Sequence, residues 1–295
     1  MTTGSTTEAK VELLGLPLPR LAEALAPLVD KPFRARQIHD AIYRRGVTAF
    51  DEMTDLSRDL RVALGERFSL TLPAIRERLR AEDATTKLLL RLEDGASIEA
   101  VDIPDRRRRT LCISSQAGCG LACAFCVTGF WGAGRNLSAG EIVGQVLLAR
   151  RELELPPTVN LVFMGMGEPM LNLEAVRDAL ELLAPTISPR RVTVSTAGVV
   201  PGIDALGRWP RRPNLAISLH APDDQRRSRI MPINRSYPLD ELFAALRRYP
   251  LEARRRITFE YLLIEGFNDE PRDADALARR LAGLPSKVNL IPLNP

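Results

Sequence analysis

The sequence is poor in several features, and each shortage excludes a class of protein. No apolar run approaches the ~18 residues that a membrane-spanning helix needs. The first ten residues, MTTGSTTEAK, contain neither the basic part nor the apolar part of a signal peptide. We therefore expect a cytoplasmic protein without a disulfide framework. Its four cysteines all lie between Cys112 and Cys126, so the rest of the chain has none.

Lysine and histidine are also scarce. Four lysines stand beside 37 arginines, and two histidines are present. The net charge of +4 only weakly favours a polyanionic partner. Short arginine runs could engage phosphates without sequence specificity, although such runs usually form solvated surface. The runs are Arg106–Arg109, Arg190–Arg191, Arg211–Arg212, Arg226–Arg227 and Arg254–Arg256.

Three regions follow one another along the chain. Residues 1–75 predict a helical accessory domain, because apolar residues such as Ile38, Ile42 and Leu60 recur at helical spacing. Its arginines form either a solvated helix surface or a surface that faces RNA. Residues 76–105 predict a β-hairpin that turns at Asp94 and Gly95. Residues 106–295 predict a third region of alternating strands and helices.

This third region predicts a parallel sheet. Six apolar segments at 110–115, 160–164, 191–196, 214–220, 257–264 and 287–293 alternate with helical patterns near 140–153, 173–184, 201–208, 239–249 and 272–283. Strands rich in Val, Ile and Leu predict burial on both faces. Six strands favour a partial barrel or an open α/β sheet, with ligands at the carboxyl ends of the strands. Because the chain stops directly after the sixth strand, we expect a C-terminal segment to be missing.

The cysteines form the most informative pattern. Cys119, Cys123 and Cys126 give the spacing C-x3-C-x2-C on a glycine-containing loop after the first strand. Three thiolates can hold three irons of a [4Fe–4S] cluster and leave the fourth iron open for a ligand. The alternative is a structural zinc site with Cys112 as its fourth ligand.

The wider sequence resembles the radical S-adenosylmethionine (SAM) enzymes. Within them it resembles the RlmN family, which methylates adenine C2 in large-subunit ribosomal RNA and, in some members, tRNA. The segments that carry the resemblance are KPFRARQI, FDEMTDLS, CISSQAGCGLACAFCVTG, RNLSAGEIVGQV, VFMGMGEPMLN, VTVSTAGVVPGI, LAISLHAP, MPINRSYPL, FEYLLIEGFND and VNLIPLNP. The resemblance implies a partial (β/α)6 radical SAM barrel with an N-terminal helical accessory domain.

The resemblance also implies roles for individual residues. Cys119, Cys123 and Cys126 correspond to the cluster ligands. Glu99 corresponds to a proton acceptor near the target adenine, and Cys112 to the cysteine that releases the product by forming a disulfide. The residues that correspond to SAM ligands are Gly167, Glu168, Ser195, Ser218, Leu219, His220 and Asn294. His220 is one of two histidines and a tempting general base, but a hydrogen-bonding role at a strand end is at least as consistent with its position.

The implied reaction uses two SAM molecules and a methyl-cysteine intermediate. The methyl-carrying cysteine has no counterpart here, so we expect this 295-residue chain to bind the cluster and SAM without completing methylation. Expected partners are 23S rRNA, tRNA and an electron donor of flavodoxin or ferredoxin type, with the protein a monomer. Alternatives are the sister family that methylates adenine C8, a radical SAM enzyme with another substrate, and an RNA-binding protein without catalytic activity.

Overall fold

A computed structural model describes residues 10–29, 31–105, 108–156 and 158–293. Asn294, which the resemblance assigns to SAM binding, lies outside the described residues, as do Arg106 and Arg107. Within the described ranges, no helix combines the length and the apolar character needed to cross a bilayer.

Helices and strands alternate along most of the described chain. The strands are β1 Val11–Glu12, β2 Phe68–Ser69, β3 Ala74–Arg80, β4 Thr86–Arg91, β5 Ser97–Asp105, β6 Arg108–Cys112, β7 Gln116–Ala117, β8 Arg135–Asn136, β9 Asn160–Phe163, β10 Val192–Thr196, β11 Asn214–Ser218, β12 Ile257–Leu263 and β13 Ser286–Pro292. The α-helices are α1 Leu18–Leu25, α2 Pro32–Tyr43, α3 Arg58–Arg67, α4 Val127–Phe130, α5 Ala139–Glu152, α6 Leu173–Leu183, α7 Val200–Gly207, α8 Asp224–Ile230, α9 Leu239–Arg248 and α10 Pro271–Leu281.

Nine strands form one mixed sheet in the order β13-β12-β11-β10-β9-β6-β5-β4-β3. The parallel part of this sheet consists of β6, β9, β10, β11, β12 and β13. These six strands lie side by side in chain order, which is the arrangement of a partial barrel. Strands β3, β4 and β5 extend the sheet antiparallel. All six predicted strands and all five predicted helices of this region are present, and the hairpin turns at Asp94 and Gly95 as predicted.

Helix α8 and strand β3 are among the elements that the sequence did not predict. Helix α8 has only seven residues, most of them charged or polar, so it shows no apolar periodicity. Strand β3 is exposed along nearly its whole length and therefore lacks the alternation of buried and exposed residues that identifies a half-buried strand.

Strands β10 to β12 are buried on both faces, as predicted, but only one of the two faces is apolar, and β13 is mostly exposed. Val194, Ile217 and Phe259 lie on the helix-covered face and are fully buried in the apolar core. Residues one position along, such as Ser195, Thr258 and Glu260, point to the other face and are polar although they are buried. The reason is that the partial barrel does not close around an apolar interior, so its inner face lines a cavity.

The segment between β1 and α1 packs against the start of α5. A Cβ on Gly15 would lie 2.3 Å from the backbone nitrogen of Gly140, so the backbones of these two segments are in direct contact. The Tyr43 hydroxyl accepts a hydrogen bond from the backbone N–H of Gly15 at 2.8 Å. Ser138 and Glu141 form a capping box at the start of α5. These contacts hold the accessory helices beside the segment that leads out of the cysteine loop.

Candidate active site

One cavity lies at the carboxyl ends of the parallel strands, where the sequence predicts the ligands. Its volume is about 300 Å³. The structure brings eight predicted site residues to its wall, which are Cys119, Cys123, Cys126, Gly167, Glu168, Ser195, Ser218 and His220. The loop after the first parallel strand and the ends of the next three strands therefore meet at one place.

The cysteine loop is closed at its base by a two-residue ladder. Strands β7 and β8 pair there, so residues 118–134 leave and return at the same point. The return is close, because a Cβ on Gly134 would lie 1.3 Å from the carbonyl oxygen of Ala117. Further along the loop, the N–H of Ala124 donates to the carbonyl of Ile230 at 2.9 Å and ties the loop to the end of α8. Such a loop presents its three thiols in a fixed arrangement.

The thiols of this loop ionise with difficulty unless a cation lies beside them. Burial raises the pKa of Cys119 and raises that of Cys123 to about 12, and the charges of the neighbouring thiols act in the same direction. Bound iron compensates such a cost, because thiolates are the ligands of iron–sulfur clusters. Three thiols that line one cavity match the cysteine thiolates that hold such a cluster, and Cys112 does not line that cavity. The donor set therefore fits the cluster better than a four-ligand zinc site.

Glu168 is a buried carboxylate at the wall of the cavity. One of its oxygens accepts a hydrogen bond from the N–H of Met170 at 3.0 Å, and the other accepts from the N–H of Ala197 at 2.7 Å. Burial nevertheless raises its pKa above the usual value. A cationic group in the cavity would stabilise the charged form, and a carboxylate has lone pairs left to accept from an ammonium.

The glycines of the GMGE turn, residues 165–168, line the cavity and also allow close packing inside the protein. In the structure, a Cβ on Gly165 would lie 2.8 Å from the Ile113 carbonyl group. Gly167 has φ +98°, and its Cβ would lie 2.5 Å from the side chain of Gln116. Both glycines therefore allow the turn to pack against the chain that leads into the cysteine loop, and this places Glu168 beside the thiols.

His220 is held as a neutral hydrogen-bonding group. Its Nδ1 accepts from the N–H of Leu262 at 3.0 Å, so the ring proton belongs on Nε2. Burial and the charge of Arg227 lower its pKa to about 3. The ring of Phe125, from the cysteine loop, meets the His220 ring edge-on at 4.6 Å between centroids. A base that is protonated only near pH 3 is a poor acceptor at neutral pH, and the geometry favours the strand-end role.

The other predicted SAM residues separate into two groups. Ser195 is the penultimate residue of β10 and Ser218 is the last residue of β11, and both line the cavity. Leu219 does not, because its side chain is fully buried in the core. Its N–H donates to the carbonyl of Glu260, and its own carbonyl accepts from Arg227. Any contact of Leu219 with a cofactor would compete with these bonds.

Glu99 and Cys112 lie outside the cavity wall but close to each other. Cys112 pairs with Val101, and Glu99 stands two residues from Val101, so both side chains point to the same inner face of the sheet. Burial raises the pKa of the Cys112 thiol to about 11, and the charge of Glu99 contributes to the increase. Glu99 forms an ion pair with Lys87 at 3.0 Å, which the sequence did not predict.

Some residues of the site were missed by the sequence analysis. Glu260 lines the cavity from β12 and accepts a hydrogen bond from Asn289 at 2.7 Å. A carboxylate alternating with apolar residues in ITFEYLL was the available signal. Outside the cavity wall, Phe130 and Trp131 of the cysteine loop are exposed by 75% and 61%. Two consecutive exposed aromatics cannot be distinguished from core residues by sequence alone.

The arginine runs do not gather at the cavity. Arg190–Arg191, Arg211–Arg212 and Arg254–Arg256 precede β10, β11 and β12, so they lie at the amino edge of the sheet. Arg226 is paired with Asp223 and Asp273, and Arg227 is fully buried. The expectation that Arg227 binds phosphate is therefore wrong, because its guanidinium does not reach solvent.

Comparisons with known proteins identify the family of this chain. Residues 113–278 match the Radical SAM superfamily, and residues 11–70 match the ribosomal RNA large subunit methyltransferase N-terminal domain. The dual-specificity RNA methyltransferase RlmN of Syntrophobacter fumaroxidans is 49% identical, with 94% of this chain and 82% of that protein covered. The chain belongs to the RlmN family. The same-named protein of Halorhodospira halophila is also 49% identical, over 97% of this chain and 80% of its own length.

A solved structure supports the fold assignment of this RlmN-family chain. The crystal structure of a radical SAM methyltransferase from Sphaerobacter thermophilus superimposes with a TM-score of 0.89 at 46% identity, covering 97% of this chain and 86% of that one. The predicted partial barrel with its helical N-terminal region is thereby confirmed. Membership of the radical SAM superfamily also confirms the predicted cofactors, a [4Fe–4S] cluster and SAM.

Proposed function

We propose that this chain carries the cluster and SAM site of a radical SAM methyltransferase that methylates C2 of adenine in RNA, with 23S rRNA and tRNA as substrates; the methyl-carrying cysteine is not among its 295 residues. The observation that carries the proposal is the meeting of the three thiols and Glu168 at one cavity, in a chain that is nearly half identical to dual-specificity RNA methyltransferases. Adenine C2 is not nucleophilic, and the cluster with SAM supplies the radical chemistry that such a carbon requires.

We assign the cluster to Cys119, Cys123 and Cys126, and SAM to the neighbouring wall. Glu168 receives the amino group of SAM, because it is the buried carboxylate next to the cysteine loop. Ser195, Ser218 and neutral His220 offer hydroxyl and Nε2–H groups to the remaining polar atoms. Leu219 and Asn294 are carried from the family resemblance alone.

We assign proton transfer to the pair on the inner face of the sheet. Glu99 accepts the proton of adenine C2, and its ion pair with Lys87 keeps the carboxylate oriented. Cys112 releases the product. Its thiol has to lose a proton before it can attack, because its raised pKa of about 11 keeps it protonated at neutral pH.

We also propose how the remaining parts contribute. Residues 1–75 form the accessory domain that contacts RNA, residues 76–105 form the hairpin extension, and residues 106–295 form the barrel. The N-terminal family match over residues 11–70 supports the first of these. An electron donor of flavodoxin or ferredoxin type and a monomeric state follow from the resemblance to the family. The target adenine has to leave its stack to reach a cavity at the barrel mouth.

The test introduces substitutions into the native gene, so that the effect is measured on the protein that the cell itself produces. Cys123→Ala is expected to abolish 2-methyladenosine in 23S rRNA and in tRNA, as measured by mass spectrometry of nucleosides. Arg248→Gln is the control, because Arg248 forms an exposed ion pair with Asp204 on the outer helices. Loss of 8-methyladenosine instead would identify the sister activity. Unchanged 2-methyladenosine in the Cys123→Ala strain would refute the proposal.

A further inference from the structure

Arg227 is the largest fully buried side chain among the described residues. Its guanidinium donates four hydrogen bonds. Nε donates to the carbonyl of Leu219 at 3.1 Å, and Nη1 donates to Oδ1 of Asn234 at 2.7 Å. Nη2 donates to the carbonyls of Ala197 at 2.6 Å and Ser218 at 3.0 Å. One side chain thus joins the chain just beyond β10 to the end of β11 and to the segment after α8.

All four acceptors are neutral, which is unusual for a buried cation. Burying a charge is costly unless an opposite charge compensates it. The neighbouring Arg226 shows the usual solution, since Asp223 and Asp273 each lie 2.6 Å from its guanidinium. For Arg227, no ion pair with a carboxylate is found in the described parts of the chain. The carboxylate of Asp224 lies behind Asn234, which accepts from Arg227 and donates to Asp224 at 2.8 Å. Burial outweighs the charge of Asp224 and lowers the pKa of Arg227 to about 10.

The position of Arg227 next to the candidate active site suggests which group supplies its counter-charge. Ala197 and Ser218, whose carbonyls accept from Nη2 of Arg227, both line the cavity that Cys123 also lines. Ala197 accepts from Arg227 through its carbonyl and donates to Glu168 through its N–H. The guanidinium therefore lies directly behind the residues that form the cluster and SAM wall.

We propose that Arg227 is a positioning residue with an electrostatic role: it holds the ends of β10 and β11, and its unpaired positive charge sets the reduction potential of the cluster. A cluster held by three thiolates gains one negative charge when it takes up an electron. A cation fixed in a low-dielectric surrounding stabilises that reduced form more than the oxidised form. Removal of the charge therefore makes reduction harder.

Four variants of the reconstituted full chain separate charge from packing. Arg227→Gln removes the charge, Arg227→Lys keeps it with fewer donors, and Asn234→Ala loosens the clamp while it leaves the charge in place. Arg226→Gln is the matched control, because it removes the charge of an arginine that carboxylates already compensate. The measurement is the midpoint potential of the one-electron reduction, from a titration with dithionite and mediators followed by electron paramagnetic resonance. Thermal unfolding is recorded in parallel.

The proposal expects Arg227→Gln to lower the equilibrium constant for reduction at least tenfold, a shift of about 59 mV to more negative potential. Arg227→Lys and Asn234→Ala unfold at lower temperature but change that constant less than threefold, and Arg226→Gln does not change it. An unshifted potential in Arg227→Gln overturns the proposal. If Arg227→Gln does not hold a cluster, the two charge-conserving variants decide, since a large shift in either one means that packing and not charge sets the potential.

Discussion

The two edges of the parallel sheet differ in charge and in chemistry. At the carboxyl edge lie the thiols, and the segment 113–140 that carries them contains one charged side chain, Arg135. At the amino edge lie three arginine runs, with exposed side chains such as Arg211 and Arg254. Net charge alone would place an RNA-binding surface at the amino edge, whereas the residues capable of chemistry are at the other. Charge-rich surface and reactive site are thus separate properties of this fold.

The largest expected effect concerns the difference between the loop cysteines and the strand cysteine. Cys123→Ser is expected to lose the cluster, measured as iron content and visible absorption after anaerobic reconstitution, because three ligands are the minimum for three irons. Cys112→Ser is expected to keep full iron content, since Cys112 lies on β6 and outside the cavity wall. Loss of iron in both variants would instead indicate a four-cysteine site.

The next effect distinguishes two carboxylates of the same cavity. Glu168→Gln is expected to weaken SAM binding by about tenfold or more, because a charge-assisted hydrogen bond to an ammonium is worth roughly 1.5–3 kcal/mol. Glu260→Gln is the matched control and is expected to have a smaller effect, since Glu260 already accepts from Asn289. Isothermal titration of SAM into the reconstituted variants measures both. A larger loss in Glu260→Gln would move the amino-group site to β12.

A third prediction compares the two histidines through the pH dependence of stability. His220 has a folded pKa of about 3, below its unfolded value of 6.5. Below pH 6.5 the unfolded chain takes up a proton that the folded chain does not, so stability falls as the pH falls from 6.5 towards 3. The slope is at most about 1.4 kcal/mol per pH unit.

Urea unfolding of the apoprotein at about pH 7 and about pH 5.5 measures this slope. His220→Gln is expected to flatten it. His39→Gln should flatten it less, because Asp40 partly offsets the lowering of the pKa of His39 by burial. Equal slopes in the wild type and His220→Gln would show that His220 titrates normally in the folded chain.

The sequence predicts the parts of this molecule that local pattern determines. The alternation of apolar and helical segments predicts every parallel strand, and the spacing of Cys119, Cys123 and Cys126 predicts the cluster loop. The features that the sequence does not predict depend on long-range packing. Nothing local distinguishes Arg227 from Arg226, because the burial of one and the ion pairs of the other are set by β10, β11 and α10. The edge of the sheet that an arginine run occupies likewise depends on topology.

The smallest expected effect tests whether the arginine-rich edge matters for RNA. β12 has seven residues, so the two edges are separated by about 23 Å at ~3.3 Å per residue. The Debye length at physiological salt is about 8 Å, which screens most of the attraction over that distance. The double variant Arg211→Glu/Arg254→Glu is therefore expected to change RNA affinity less than about twofold at roughly 0.15 M salt, and more at low salt.

The double variant Phe130→Ala/Trp131→Ala tests whether exposed aromatic side chains at the carboxyl edge bind RNA. Stacking of a base on an exposed aromatic is worth roughly 1–3 kcal/mol, so RNA affinity should fall at least several-fold with little change in salt dependence. Binding measured over a range of salt concentrations compares the two double variants directly. A large loss at physiological salt in the arginine variant, with a flatter salt dependence, would mean that phosphates contact the amino edge directly and that RNA wraps around the barrel from the cavity to the opposite side.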